Sequence, residues 1–566
     1  MKKLTGLIIS NFNAENFANL LNAAEDPEIS FRVHLAPFDQ VVQNLTTPNL
    51  SDENPDFLIL WTQPERIIPT FGKAFRFESV SFDHALKEVD EFCSFILQNK
   101  RNPKFIFIPT WVLPAQFRGY GMLDYREGVG LRDLLSKMNA RLRQSLKAKS
   151  NIYILDSTQW IETAGKTAFS AQLWYLSKNP FGHQVFQSAA VDIRYYCKAI
   201  YGLSKKLILL DLDDTLWGGI LGEDGYENLK IGGHDPLGEA YLDFQKALKS
   251  LKNRGILLAI VSKNDEKAVW DVFERHPEMI LKKGDFAGWK INWKEKSQNV
   301  AQLLSELNLS SHSTVFIDDN PVERLKMKSV LPDVTAPDWP EDKMLYASTL
   351  LNLPYFDAPA ISKEDLNRSN LYSIEQERKV SMSSFVSSEG WLKNLETNVI
   401  CEEVSDANFV RVLQLINKTN QMNLSTRRLS EAELKLWIDS SKRRMWAFRI
   451  SDKFGDLGLI GIASIETQSS NAKVIDFILS CRAMGRKIEE TMLHVICAAA
   501  KQMKLEEVEI EYMPTSKNEP CLLFFQNSSF HQKEKGKLFT WSLKKDFLPS
   551  PLIRLTISPF VEKVRN

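Results

Sequence analysis

The stretch LILLDLDDTLWGGILGEDG, residues 207–225, constrains the fold more than any other. Four apolar residues, Leu207 to Leu210, turn abruptly acidic at Asp211, Asp213 and Asp214. A short continuous apolar run reads as a strand buried on both faces, as in a parallel sheet. Ligands of such sheets sit at the carboxyl ends of the strands. Here that end carries Asp211 and Asp213, with Thr215 two residues further on. A loop just leaving the strand can aim both carboxylates at one pocket. The competing reading is a solvated acidic turn in which Asp214 or Thr215 caps a helix.

Three later stretches complete a constellation. ILLAIVS, residues 256–262, is a second buried-strand pattern and ends on the Ser262 hydroxyl. Lys296 follows in NWKEKSQNV, just before a helical pattern, and VFIDD is a third apolar strand ending in Asp318 and Asp319. This order, D-x-D-x-T, then a hydroxyl at a strand end, then lysine, then paired aspartates, resembles the haloacid dehalogenase (HAD) superfamily. The chemistry suits those residue types. Asp211 can attack phosphorus and form an aspartyl-phosphate, which splits a hard hydrolysis into two easier steps. Asp213 can protonate the leaving oxygen and later take a proton from water. Charge on the transferring phosphoryl group would be stabilised by Lys296, Ser262 and backbone N–H groups, with Thr215 and Asn264 completing the phosphate contacts. Clustered carboxylates repel one another and an anionic substrate. A hard cation, most simply Mg²⁺, resolves this, with ligands drawn from Asp211, Asp213, Asp318 and Asp319.

Spacing bears on the substrate. From Asp211 to Ser262 is 51 residues and from Ser262 to Lys296 is 34. In the HAD superfamily large cap domains are inserted in one of these gaps, and neither has room for one. The site is therefore expected to be open, which suits a bulky or protein-tethered substrate, or a lid supplied by another domain.

At 566 residues the chain is too long for one core. A hydrophobic content of 44%, a charged content of 25% and a formal net charge of zero describe an ordinary globular protein. With no basic stripe, nucleic acid and anionic membrane are not expected as partners. The six cysteines, Cys93, Cys197, Cys401, Cys481, Cys497 and Cys521, are scattered without a C-x-x-C pair. That points to reduced thiols in a cytoplasmic protein, not to a zinc site. The apolar run of MKKLTGLII dies at Ser10 and Asn11, too soon for a signal peptide, and no stretch approaches membrane-spanning length.

Residues 1–200 alternate strand-like segments (LTGLIIS, FRVHLAPF, DFLILWT, KFIFIPTW, NIYILDS) with helical patterns near 14–23, 84–98 and 131–147. This predicts a parallel, flavodoxin-like α/β domain that resembles the SGNH hydrolases. The catalytic marks are poor: Ser10 lies where that class keeps its nucleophile, but Pro180 replaces the aspartate expected three residues before His183. A non-catalytic docking domain is the expectation. Residues 201–345 form the HAD unit, a Rossmann-like parallel sheet, and residues 346–399 read as a helical connector in which Ser362 can cap an acidic first turn. From 400 to 550 a helical stretch, then the antiparallel patterns MWAFRIS, LIGIASIET and AKVIDFILSCR, a helix over 488–503 and VEIEYM resemble an α+β GNAT-type acyltransferase. Such folds bind a pyrophosphate or pantetheine arm on backbone N–H groups at the start of the central helix. Arg482, Gly485 and Arg486 match that loop, whereas Lys487 replaces its last small residue. Cys481, beside these cations and a helix N-terminus, reads either as an activated thiol that carries an acyl group or as a small apolar strand residue.

Together DLDDTLWGGILGEDG, AIVSKND, INWKEKSQNV, FIDDNPVER, NKTNQMNLSTRR and SCRAMGRKIEE resemble the FkbH-like family of the HAD superfamily over nearly the whole chain. The resemblance implies an enzyme that takes a glyceryl unit from 1,3-bisphosphoglycerate, a small phosphorylated three-carbon acid. It removes the remaining phosphate and loads glycerate on the phosphopantetheine arm of an acyl carrier protein. The alternative is a phosphatase acting on a sugar phosphate or other tethered phosphate in polysaccharide or secondary-metabolite biosynthesis.

Overall fold

The computed structural model describes residues 2–23, 25–47, 54–114, 116–233, 235–361, 378, 381, 385, 387–480, 483–515, 518–533 and 537–558. The chain forms two compact units. One comprises Met1–Lys198 and Ser430–Leu436, the other Ala199–Leu429 and Trp437–Asn566. The architecture is multidomain α/β, as the patterning predicts.

The first unit is built on five strands, β1 (Lys2–Ser10), β2 (Ile29–Leu35), β3 (Phe57–Trp61), β4 (Phe105–Pro109) and β5 (Ile152–Leu155). All are parallel, in the order β2-β1-β3-β4-β5. The runs FLILW and FIFIP are buried at every position, because helices cover both faces of a parallel sheet. The helices Glu15–Ala23, Phe82–Leu97 and Leu131–Leu146 fall where the periodicity predicts them. A further helix, His183–Ile200, buries Val185, Phe186, Ala189, Ala190, Ile193 and Cys197 on one stripe.

The second unit carries two sheets. Strands β6 (Leu207–Leu210), β7 (Leu257–Ser262), β8 (Phe286–Ile291) and β9 (Thr314–Ile317) are parallel, in the order β8-β7-β6-β9. Along β6, Ile208 and Leu210 enter one apolar cluster while Leu207 and Leu209 enter another, so alternate residues fill the cores on opposite faces. This strand lies between its two neighbours, which is why its carboxyl end faces the ends of both. Each gap that a cap domain would use holds only short elements. Residues 211–262 contain the helices Leu221–Asp224 and Pro236–Asn253, and residues 262–296 contain the helix Glu266–Arg275 and β8.

The other sheet is mixed. Its path runs β16 (His531–Lys533), β17 (Leu538–Ser542), β15 (Glu507–Glu511), β14 (Asn471–Leu479), β13 (Gly455–Gln468), β12 (Arg443–Asp452), β10 (Asn398–Glu403) and β18 (Arg554–Ile557), with β11 (Met422–Asn423) on β14. The helix Ile488–Gln502 follows β14, and β14 and β15 pair in parallel over Asn471–Val474 only. Between Ser464 and Ile465 of β13 the register against β14 skips Ile475, a bulge that bends β14 beyond that point. There β11 replaces β15 as partner. Leu424 extends the bridge, donating its N–H to the Phe477 carbonyl and accepting at its own carbonyl from the Met513 N–H. Antiparallel strands followed by a central helix and a parallel neighbour reproduce the GNAT-like plan expected for this region. The candidate helix cap at Ser362 lies outside the described residues.

Candidate functional site

Asp211 is the first residue past β6, its N–H bonded to the Ile317 carbonyl at the end of β9. That register brings the ends of two strands together, so Asp211, Asp318 and Asp319 offer oxygens that all lie within 4.8 Å of one another. Lys296, the first residue of the helix Lys296–Leu307, reaches into this group, 2.8 Å from Asp211 Oδ2 and 2.6 Å from Asp318 Oδ2. Burial opposes the charge of Lys296, but the two carboxylates overcome it and hold the ammonium above the usual lysine range. Asp318 is fully buried, and burial followed by the charge of Asp211 raises its pKa.

Asp213 stands apart from the three clustered aspartates. Its Oδ1 accepts from Trp217 Nε1 at 2.9 Å and the Leu221 N–H at 3.2 Å, and its Oδ2 accepts from Asn264 Nδ2 at 2.9 Å. With both oxygens engaged, this side chain is not a member of the candidate cation group, and the set of four is reduced to three. Burial, reinforced by Asp211, raises its pKa against those hydrogen bonds, which suits a group that must deliver a proton. The loop that allows this arrangement contains Asp214 in the left-handed region at φ 50°. Its carboxylate accepts from the Gly219 N–H at 3.1 Å, which offsets part of that strain.

The residues expected to bind phosphate divide. Ser262 is buried at the end of β7, beside β6. Asn264 is committed to Asp213, and Thr215 to Asp319, which it meets at 3.2 Å through Oδ1 while accepting the Asp319 N–H at 3.0 Å. Both hold aspartates in place, a positioning role. Two residues were not foreseen. Arg324 donates at 2.7 Å to the carbonyls of both Asp318 and Asp319, bracing their turn. Lys343, half-buried, lies 3.2 Å from Asp319 Oδ2 and 3.0 Å from the Asp214 carbonyl. Arg324 ends the FIDDNPVER stretch without a signal of its own, and Lys343 lies outside every motif. The three side chains offer only hard oxygens, crowded closely enough to repel one another wherever they carry charge. The set fits Mg²⁺, with Asp211, Asp318 and Asp319 as its ligands.

Elsewhere the candidate residues are differently placed. Ser10 is buried and donates its hydroxyl to the Phe12 carbonyl at 2.5 Å, whereas His183 is exposed at the start of its helix and meets Asn16. The carboxyl ends of β1 and β3 are packed with aromatic rings: Phe12, Phe17, Trp160, Phe181 and Phe186 surround Trp61 with centroids 5.1–5.7 Å away. In the C-terminal sheet, the Gly485 N–H donates to Glu489 Oε1 at 2.7 Å, and Arg486, 5% exposed, lies 3.5 Å from Asp452 Oδ2. Lys487 caps the helix in the left-handed region at φ 64°. The backbone N–H that Gly485 would offer a pyrophosphate is thus taken by the chain's own Glu489 carboxylate, and Arg486 is buried near Asp452. Cys481 and Arg482 lie outside the described residues. Cys93, Cys197, Cys401, Cys497 and Cys521 are free and buried. No helix among the described residues is long and apolar enough to cross a membrane.

No model of a known protein family matches the chain, and no curated protein matches it. Among solved structures, the chain is similar to the N-terminal part of the protein BF1531 from Bacteroides fragilis, which contains a phosphatase domain and is complexed with Mg. Identity is 26% and the TM-score 0.57, over 64% of this chain and 96% of that one. A spermidine N-acetyltransferase from Vibrio cholerae aligns with 26% of this chain and 96% of its own, at 13% identity and a TM-score of 0.22. The ribosomal-protein-S18-alanine N-acetyltransferase from Escherichia coli covers 26% and 94%, at 6% identity and 0.21. The acetyltransferase-like plan of the C-terminal sheet therefore rests on its strand order, and the chain carries a HAD-type phosphatase fold around the acidic cluster.

Proposed function

We propose that this chain is a Mg²⁺-dependent phosphatase of the HAD type, coupled to transfer of a glyceryl unit to an acyl carrier protein. The observation that carries the phosphatase reading is the Asp211–Asp318–Asp319 cluster, pinned by Lys296, with Asp213 held beside it in a separate hydrogen-bonded setting. Asp211 attacks phosphorus. As the bond to the leaving oxygen breaks, Asp213 passes its proton to that oxygen, then takes a proton from the water that cleaves the aspartyl-phosphate. Lys296 holds Asp211 in line and offsets charge on the transferring oxygens. A bound Mg²⁺ supplies further neutralisation of the phosphoryl charge.

The coupling to acyl transfer is supported by the motifs shared with the FkbH-like family and by the short gaps around the site, which leave it uncapped. Thiolate attack on the acyl phosphate of 1,3-bisphosphoglycerate would form the thioester and release that phosphate. The phosphatase site would then remove the second one. The test is mass spectrometry of holo acyl carrier proteins after incubation with 1,3-bisphosphoglycerate, Mg²⁺ and the full chain. A glyceryl adduct without phosphate is the expected product. Phosphate release from sugar phosphates with no loaded carrier would favour the polysaccharide alternative.

A further inference from the structure

The three clustered aspartates are divided between two lysines. Lys296 takes Asp211 and Asp318, whereas Asp319 is left to Lys343, whose Nζ lies 3.2 Å from its Oδ2. The same ammonium donates at 3.0 Å to the carbonyl of Asp214, the residue directly after Asp213. One side chain therefore ties a candidate metal ligand to the backbone of the turn that carries the general acid. Each carboxylate oxygen has a further lone pair, so this contact and that of Thr215 on Oδ1 leave Asp319 able to bind a cation.

The surroundings fix the lysine in place. It opens the 3₁₀ helix Lys343–Leu345, whose cap Asp342 accepts the Met344 N–H at 2.9 Å. Its Nζ lies 5.4 Å from the centre of the Tyr346 ring, within the range of a cation–π contact. Tyr346 is buried and packs edge to face against Tyr241, with centroids 6.2 Å apart. The Tyr241 hydroxyl donates at 3.1 Å to the same Asp214 carbonyl. That carbonyl thus has a neutral donor already, and what Lys343 adds is charge. A partly exposed ion pair contributes little to stability. Glu341 and Asp342, exposed and next to Lys343 in sequence, offer carboxylates for such a pair, yet the ammonium is directed onto an oxygen of the cation group.

Charge at this point acts in two ways. A dication on Asp211, Asp318 and Asp319 has to share Asp319 with an ammonium, and like charges at such range repel. At the same time Asp319 and the turn of Asp213 are ordered before substrate arrives, as a reacting centre requires. We infer that Lys343 is a positioning residue of the phosphatase centre, holding Asp319 and the acid's turn together while weakening the hold on the metal. The inference rests on the phosphatase reading above and is independent of what carries the phosphate.

The experiment titrates full-length wild type, Lys343→Met and Lys343→Arg with Mg²⁺ by calorimetry, without substrate. Turnover of p-nitrophenyl phosphate is then measured at saturating Mg²⁺. Methionine keeps the length of the side chain and its packing on Tyr346 but removes the charge. Lys343→Met should bind Mg²⁺ at least about threefold more tightly, yet turn over about tenfold more slowly. Lys343→Arg, which keeps the charge, should hold Mg²⁺ within about twofold of wild type. Affinity and turnover moving in opposite directions is a split that a lost structural contact does not produce. Metal affinity that stays level or falls in Lys343→Met overturns the inference, and so does turnover within about twofold of wild type. Should Lys343→Met fail to fold, Lys343→Gln carries the same two expectations. A wild type that binds Mg²⁺ but releases no phosphate sinks the phosphatase reading instead, and the substrate-free titrations then decide Lys343 alone. No Mg²⁺ binding by either wild type or Lys343→Met removes the cation site, and this inference with it.

Discussion

Two places in the second unit gather charge around a strand end and the start of a helix, and they end in opposite states. Beyond β6, three aspartates share two lysines, and their oxygens crowd within 4.8 Å. At the start of the helix Ile488–Gln502, where an anion could rest on backbone N–H groups, Glu489 already accepts from the Gly485 N–H. Arg486 is drawn to Asp452. The first arrangement gathers oxygens that a cation and a phosphoryl group would complete. The second is closed by the chain's own side chains. A buried polar group that has its partner contributes to stability, whereas one that lacks it is kept for function.

The sharpest way to break this contrast is to remove charge from the incomplete centre. Asp211→Asn takes away the nucleophile and a metal ligand together, and phosphatase turnover should fall by on the order of 10⁴-fold or more. The circular dichroism spectrum should be unchanged, and wild-type-like turnover would end the HAD mechanism. Asp213→Asn should slow turnover by roughly 10²–10⁴-fold, the ordinary worth of a positioned acid and base. It should not weaken Mg²⁺ binding measured by titration, because Asp213 is outside the clustered three.

The closed centre predicts a stability effect instead. Burial raises the Glu489 pKa to about 7, against the Gly485 hydrogen bond. A carboxyl whose pKa is higher in the folded than in the unfolded chain favours folding while protonated, so its contribution is present at pH 4.5 and lost as the pH rises through 7. Thermal denaturation should therefore show falling stability between about pH 5 and 8. Glu489→Gln should flatten that slope and add at most about 3 kcal/mol at pH 8. A slope identical in the variant would remove Glu489 from the explanation. Wild-type chain should also show no saturable binding of coenzyme A at pH 8, and micromolar affinity would reopen the loop as a pyrophosphate site.

The smallest expected effect concerns Cys481. If the carrier thiol attacks the acyl phosphate directly, Cys481→Ala should load carrier within about twofold of wild type. A loss of loading with phosphatase activity intact would show that this thiol takes the glyceryl unit first.

What could be read in advance follows from how each signal arises. The strands β3, β4, β6, β7 and β9 are legible because a doubly covered strand must be apolar throughout. The aspartates after β6 and β9 are legible because polarity changes there within one residue. Strand β8, FAGWKI, is not legible: it lies at the sheet edge, where Trp289 and Lys290 remain half-exposed and break the apolar run. The roles of Thr215 and Asn264 could not be read either, since a hydroxyl or amide that holds an aspartate looks in sequence like one that holds phosphate. Lys343 opens a short 3₁₀ helix, Lys343–Leu345, outside every motif. Glu489 did leave a trace, as one of two acids in the first helical turn, but acids are favoured there in any helix.

Asp214 occupies the left-handed region at φ 50° in the loop that follows Asp211 and Asp213. Glycine would adopt that conformation without strain, but it would forfeit the carboxylate that accepts from the Gly219 N–H. The turn thus trades ease of folding for a fixed direction of the chain as it leaves the strand.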